Sequence, residues 1–192
     1  MPPSLVPTAL LLAGGQGSRL GGRDKGLMPF GGEPVAAHLG RLLRALGGEL
    51  LISCNRNQAV YAALADRLVV DEEPDFPGPL AGILAGLRSC HSGHMLVLAC
   101  DMSQVDLPLL QGFLAHAAKT PQRPCMVRTG DRWQPLLCVI PQALLPQLEA
   151  AWQAGQRSPL RWLLAQQPTA FELPAADPRL HNGNCPADWT QG

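Results

Sequence analysis

The sequence predicts an α/β protein built on a single doubly wound, mostly parallel sheet with helices on both faces. Three observations carry this. Short apolar runs such as residues 8–13 and 95–99 contain almost no polar residue, as expected of strands covered on both faces. Helical patterns alternate with these runs along the first two thirds of the chain. The first run ends in a cluster of glycines, and two later ones end at an aspartate, so polar chemistry collects at strand ends. With 192 residues the chain is long enough for one domain spanning 1–192 and short for two.

Residues 8–13 read as a central strand. Leu10, Leu11 and Leu12 imitate the core of a leader peptide, but no Lys or Arg precedes them and Pro7 interrupts the run, so a buried strand is expected. Residues 34–46 read as a helix with Val35, Leu39, Leu42, Leu43 and Leu46 on one face, Pro34 in its first turn and Gly47-Gly48 as its stop. Residues 50–53 form a second strand, 60–64 begin a helix, and 68–70 form a third strand ending at Asp71. Pro74, Pro77, Gly78 and Pro79 define a loop of restricted shape. Residues 80–87 are helical, 95–99 are the most apolar strand and lead into Cys100-Asp101, and 108–118 are helical. Two further strands, 125–128 and 136–140, flank a polar turn at Thr129-Gly130-Asp131. A helix over 143–154 and a strand over 171–173 follow, and the Pro- and Gln-rich last quarter has otherwise weak patterns. No internal repeat, low-complexity tail or linker interrupts the chain.

Composition excludes some partners. Lys plus Arg and Asp plus Glu number 15 each, a formal net charge of zero, where a nucleic-acid binder would show a basic excess. A phosphorylated small ligand needs only local positive charge. The cysteines at 54, 90, 100, 125, 138 and 185 have no C-x-x-C spacing, and several lie in apolar runs, so they are expected to be small core hydrophobes and not disulfides. His91 and His94 lack a nearby acidic or Cys partner and read as a loop leading into a strand. No apolar run approaches the roughly 20 residues of a membrane span, so a cytoplasmic protein without a membrane partner is expected.

The glycine cluster is Leu12-Ala13-Gly14-Gly15-Gln16-Gly17-Ser18-Arg19-Leu20-Gly21-Gly22-Arg23-Asp24-Lys25. Glycines let backbone N–H groups converge on phosphate oxygens without a Cβ in the way. Arg19 offers a planar fork and Lys25 a point charge. The spacing G-x-G-x-x-x-G misses the dinucleotide fingerprint, and Asp24 stands where a P-loop needs Gly before its Lys. A plain glycine-rich turn would explain the glycines but not the two cations. At the other strand ends, Asp71 and Asp101 could cap helices or face solvent. Their shared position beyond the carboxyl ends of parallel strands instead suits a hard cation such as Mg²⁺, which needs only one or two carboxylates beside phosphate oxygens.

The glycine segment resembles the L-A-G-G-x-x-x-R-x-G signature, followed by a Lys, of nucleotidyltransferases that activate sugars and related phosphates. Pro77-Gly78-Pro79-Leu80-Ala81-Gly82, Cys100-Asp101-Met102 and Asn182-Gly183-Asn184-Cys185-Pro186 resemble the molybdenum cofactor guanylyltransferase version. The resemblance implies a Rossmann-like nucleotidyltransferase with residues 1–105 binding GTP and 106–192 binding the acceptor. It implies that Asp101 binds metal, that Asp71 binds nucleotide, and that Lys25 and the Leu12-Ala13-Gly14-Gly15 backbone contact it. Family members often carry a nucleotide-contacting Asn where Ser53 stands, so Ser53 is a departure at a nucleotide-binding position, whereas Asn55 and Arg56 agree with the pattern. The pterin side would lie near Pro77-Gly78-Pro79, Arg157, Asn182 and Asn184.

The implied reaction is attack by the terminal phosphate of molybdopterin on the α-phosphorus of GTP, releasing pyrophosphate. Catalytic charge would come from Arg19, Lys25 and Mg²⁺ on Asp101. Molybdenum-insertion proteins and molybdoenzyme chaperones are the implied protein partners. Alternatives are cytidylyl transfer to the same cofactor, nucleotidyl transfer to a sugar phosphate, and a non-catalytic nucleotide-binding regulator. The Gly14-Gly15 pair favours guanine, since cytidylyl relatives typically carry Ala at the first of these positions.

Overall fold

In the computed structural model, which describes residues 5–13, 24–70 and 78–181, β1 (Thr8–Leu12) runs through the middle of the sheet with every residue buried. Its alternation sends Ala9 and Leu11 to one face and Leu10 and Leu12 to the other. Because both sides are apolar, both must be covered. β1 pairs in parallel with β4 (Leu50–Ser53) and with β6 (His94–Ala99), and β4 pairs in parallel with β5 (Arg67–Val69). On the far side of β6 lie β8 (Arg132–Pro141), β7 (Cys125–Thr129) and β9 (Thr169–Leu173). The order is β5-β4-β1-β6-β8-β7-β9, and β8 alone runs against its neighbours. The sheet is therefore mostly parallel, as the strand patterns predict.

Helices cover both faces. α1 (Val35–Arg44) and α4 (Leu107–Ala117) pack on the face of Ala9 and Leu11, burying Leu39, Leu43, Leu110 and Phe113. α3 (Pro79–Ser89), α5 (Leu145–Gln153) and α6 (Pro159–Ala165) cover the opposite face through Leu80, Ile83, Leu87, Leu148 and Trp162. Fully burying one such Leu contributes about 1.5–3 kcal/mol. The short α2 (Gln58–Ala62) sends Tyr61 into the first of these layers. Among the described residues no helix is long and apolar enough to cross a membrane.

Several elements differ from the sequence expectation. α1 starts at Val35; Pro34 belongs to β3 (Glu33–Pro34), which pairs with β2 (Pro29–Phe30) around Gly31-Gly32. The helix expected over 143–154 is a 3-10 turn, Gln142–Leu144, followed by α5, with Pro146 in the first helical turn where it has no N–H to contribute. β8 starts four residues earlier than the apolar run that predicts it (136 − 132 = 4). Its ladder with β7 shifts register between Met126 and Val127, and Pro135, without an N–H, lies between the two registers. α6 has no counterpart in the sequence reading. Cys54, Cys90, Cys100, Cys125 and Cys138 are buried free thiols, as expected, while Cys185 lies outside the described residues. His94 opens β6 with its Nε2 at 2.7 Å from the Pro121 carbonyl.

One close approach matters for the strand ends. A Cβ placed on Gly82 would lie 2.6 Å from Ser53 Oγ and 2.9 Å from Leu12 Cδ2. The absent side chain lets α3 lie directly on the ends of β1 and β4. Gly82→Ala is expected to lose more to overpacking, about 1–3 kcal/mol, than the roughly 1 kcal/mol it gains in helix propensity. A lowered midpoint in thermal or urea unfolding checks this; an unchanged or raised midpoint contradicts it.

Candidate active site

The chain leaves β1 toward β4 and β5 and returns to pair β6 on the other side of β1. Such a switch point opens a crevice beyond the carboxyl ends of the strands. Hydrogen bonding continues past the strands here. Ala13 N donates to Ser53 O at 2.9 Å, Cys100 N to Leu12 O at 3.1 Å, and Cys54 N to Val69 O at 3.2 Å. The residue after each strand is thus held by the sheet, and Cys100 delivers Asp101 next to the end of β1. The side chains of Leu12 and Ala13 are buried, so these residues can offer a ligand only their backbone.

Lys25 and Asp101 meet at this edge. Lys25 Nζ stands 3.9 Å from Asp101 Oδ2, and both side chains are about a quarter open to solvent, at 21% and 24%. Burial pushes the Asp101 carboxyl above its ordinary range, and the Lys25 ammonium opposes that rise. A carboxylate raised mainly by desolvation gains from a cation, and its hard oxygens suit Mg²⁺. Among the described residues no group of three His, Cys, Asp or Glu converges as a ready-made metal cage. The donor chemistry therefore fits a cation that takes one carboxylate here and fills its shell from phosphate and water.

Lys25 is presented by a 3-10 turn, Lys25–Leu27, capped by Asp24. Asp24 Oδ1 accepts from Gly26 N at 3.1 Å and from the Tyr61 hydroxyl at 2.6 Å. Its Oδ2 accepts from Asn57 Nδ2 at 2.8 Å and lies 3.7 Å from Arg56 Nε. Only 6% of the Asp24 side chain is exposed. Burial, then the Asp24 hydrogen bond, raises the Tyr61 pKa, so the hydroxyl stays a donor. The sequence reading notes Asp24 only as a mismatch to the P-loop; its neighbour Lys25 and the Tyr at 61 give no local pattern that links them. Cys54 and Cys100 border this region. Burial, together with the nearby Asp24, pushes Cys54 up to about 11, and burial with Asp101 raises Cys100 to about 12, so both remain thiols.

The remaining expected positions are distributed as follows. Ser53 is buried, its side chain facing Gly82 of α3. Asn55 follows β4 in the same connection as Arg56 and Asn57. Pro79 is the first residue of α3, behind Gly78 at φ 95°. Arg157 lies on the α5–α6 connection, its guanidinium 3.8 Å from the Trp152 ring centre and donating to Trp152 O at 2.9 Å. Gly14, Gly15, Arg19, Asp71, Asn182 and Asn184 lie outside the described residues.

Comparison with known proteins gives this geometry relatives. The profile of the MobA-like NTP transferase domain matches residues 9–170. A molybdenum cofactor guanylyltransferase of Pseudomonas fluorescens is 52% identical, covering 97% of this chain and 92% of its own. One from Pseudomonas aeruginosa is 53% identical over 97% of this chain and 95% of its own. Among solved structures, molybdopterin-guanine dinucleotide biosynthesis protein A from Archaeoglobus fulgidus superposes with a TM-score of 0.73 at 24% identity, covering 95% of this chain and 94% of that one. A 2-C-methyl-D-erythritol 4-phosphate cytidylyltransferase from Thermus thermophilus shares the fold at a TM-score of 0.70 and 13% identity, covering 95% of each chain.

Proposed function

This chain belongs to the molybdenum cofactor guanylyltransferase family of MobA-like NTP transferases, and we propose that it transfers GMP from GTP to the terminal phosphate of molybdopterin. The observation that carries the reading is the Lys25–Asp101 pair, 3.9 Å apart at the switch-point edge of the sheet. It supplies one cation and one cation-seeking carboxylate where a triphosphate would lie.

An oxygen of the acceptor phosphate attacks the α-phosphorus of GTP. A new P–O bond forms as the bond to the bridging oxygen of the β-phosphate breaks, and pyrophosphate leaves. The nucleophile is already anionic, so no strong base is required; the barrier is positioning and repulsion between two polyanions. Lys25 places positive charge beside Asp101, and Arg19 of the glycine loop adds a second cation to the triphosphate. Asp101 would hold Mg²⁺, which supplies Lewis-acid charge stabilisation when bound, and Asp71 would bind the nucleotide. The backbone of Leu12, Ala13, Gly14 and Gly15 reads the guanine and ribose side. Asn55 borders the nucleotide, and Pro79, Asn182, Asn184 and Arg157 serve the pterin. Ser53 acts from below, as the seat for α3. The enzyme works in the cytoplasm, with molybdenum-insertion proteins and molybdoenzyme chaperones as its partners.

Cytidylyl transfer is the second reading, favoured by the shared fold with a cytidylyltransferase. Calorimetry with GTP, CTP, ATP and UTP in Mg²⁺ separates the two. GTP is expected to bind at least tenfold more tightly than CTP, roughly 1.4 kcal/mol. Equal or tighter CTP binding sinks the guanylyl assignment.

A further inference from the structure

We propose that Asp24 is a positioning residue for Lys25, and that Tyr61 and Asn57 hold it in place. The inference rests on the catalytic role proposed for Lys25 and extends it to the residues that hold its turn.

Three donors from two stretches of chain converge on the Asp24 carboxylate. Gly26 N comes from the turn that carries Lys25, Asn57 from the β4–α2 connection, and the Tyr61 hydroxyl from α2. Arg56 adds its charge at 3.7 Å. A nearly buried carboxylate is costly unless hydrogen bonds and charge satisfy it, and here they do. The geometry looks purpose-built on both sides of Lys25. A methyl group built on Gly26 would collide with the Tyr61 hydroxyl, so only Gly lets the turn lie flat on that ring. Asn57 sits at φ 53°, in the left-handed region that Asn tolerates better than most residues, with its amide on Asp24.

The consequence is directional. With Asp24 turned inward and Gly26 buried, the intervening Lys25 projects to the crevice side and reaches the neighbourhood of Asp101. Lys has four rotatable bonds and loses much freedom when its charge is held in one place. Anchoring its backbone on both sides lowers that cost. Tyr61 is fully buried against the core, so the anchor moves only if α2 moves.

The test is a double-mutant cycle on the whole chain, reading GMP transfer at saturating GTP. Tyr61→Phe keeps the ring and removes one donor. Asp24→Asn sets an amide N–H₂ against the donors that now face a carboxylate. Each is expected to slow turnover about tenfold or more, the scale of a small displacement of a catalytic group. In a Lys25→Ala background each should add less than about twofold, because its effect runs through Lys25. Equal losses in both backgrounds, or parental turnover for both single variants, overturn the proposal. If Asp24→Asn shows no cooperative melt, Tyr61→Phe alone decides. A parental rate for Lys25→Ala is a different failure: it removes the role proposed for Lys25, and with it the route through which Asp24 would act.

Discussion

Asp101→Asn is expected to lower GMP transfer by about 10²-fold or more, the scale of losing one electrostatic stabiliser. The change keeps size and shape but removes the charge that attracts a hard cation. Stability should move the other way or not at all. Burial raises the Asp101 pKa from its ordinary 3.8, so the folded state holds that proton more tightly than the unfolded chain does. Ionising Asp101 therefore costs stability as pH rises from 3.8 through the raised value. Asn removes it, although it also leaves Lys25 without that carboxylate. The variant should melt at the parental temperature or slightly above it. A Mg²⁺ titration of turnover checks the assignment. Parent and variant reaching the same maximal rate at the same Mg²⁺ concentration would remove Asp101 from the metal.

Lys25→Ala is expected to lose turnover on a comparable scale, about 10²-fold, with the fold intact. Lys25 is partly exposed and lies on a short 3-10 turn outside the sheet, so a circular dichroism melt should be nearly parental. The two variants differ in their response to metal. Extra Mg²⁺ should not restore Lys25→Ala, whose carboxylate is unchanged. Near-parental turnover at saturating GTP would show that Lys25 is only a solvated loop residue.

The strands were legible because buried parallel strands have long apolar runs, and Asp101 was legible as a sheet-edge residue because it comes two residues after the most apolar of them. Periodicity also located α1, α3 and α4. What the reading missed shares a cause: the determining interactions are non-local or too short for a period. α6 spans only Pro159–Ala165, although Ser158 accepting from Arg161 N and Pro159 at the helix start are the cap and first residue that could have marked it. The β2–β3 pair is only two residues per strand. The early start of β8 was hidden by Pro135, which ordinarily argues against a strand. At the site, motif order picks out Lys25 and Asp101 separately, but the turn that carries Lys25 is capped by Asp24, whose partners Asn57 and Tyr61 lie 33 and 37 residues away. Ser53 shows the converse. Its identity alone puts a nucleotide contact in doubt, and the reason for a small residue there, contact with Gly82, is visible only once α3 is packed.

The central claim is that this chain moves the α-phosphate of GTP, with its nucleoside, onto molybdopterin. The direct measurement incubates it with molybdopterin, Mg²⁺ and GTP carrying label at either the α- or the γ-phosphate, and follows the label into the pterin fraction and into pyrophosphate. The account predicts that α-label enters the pterin product, that γ-label leaves entirely as pyrophosphate, and that α-labelled CTP gives little product. Transfer of γ-label to the pterin, or efficient transfer from CTP with none from GTP, would contradict it.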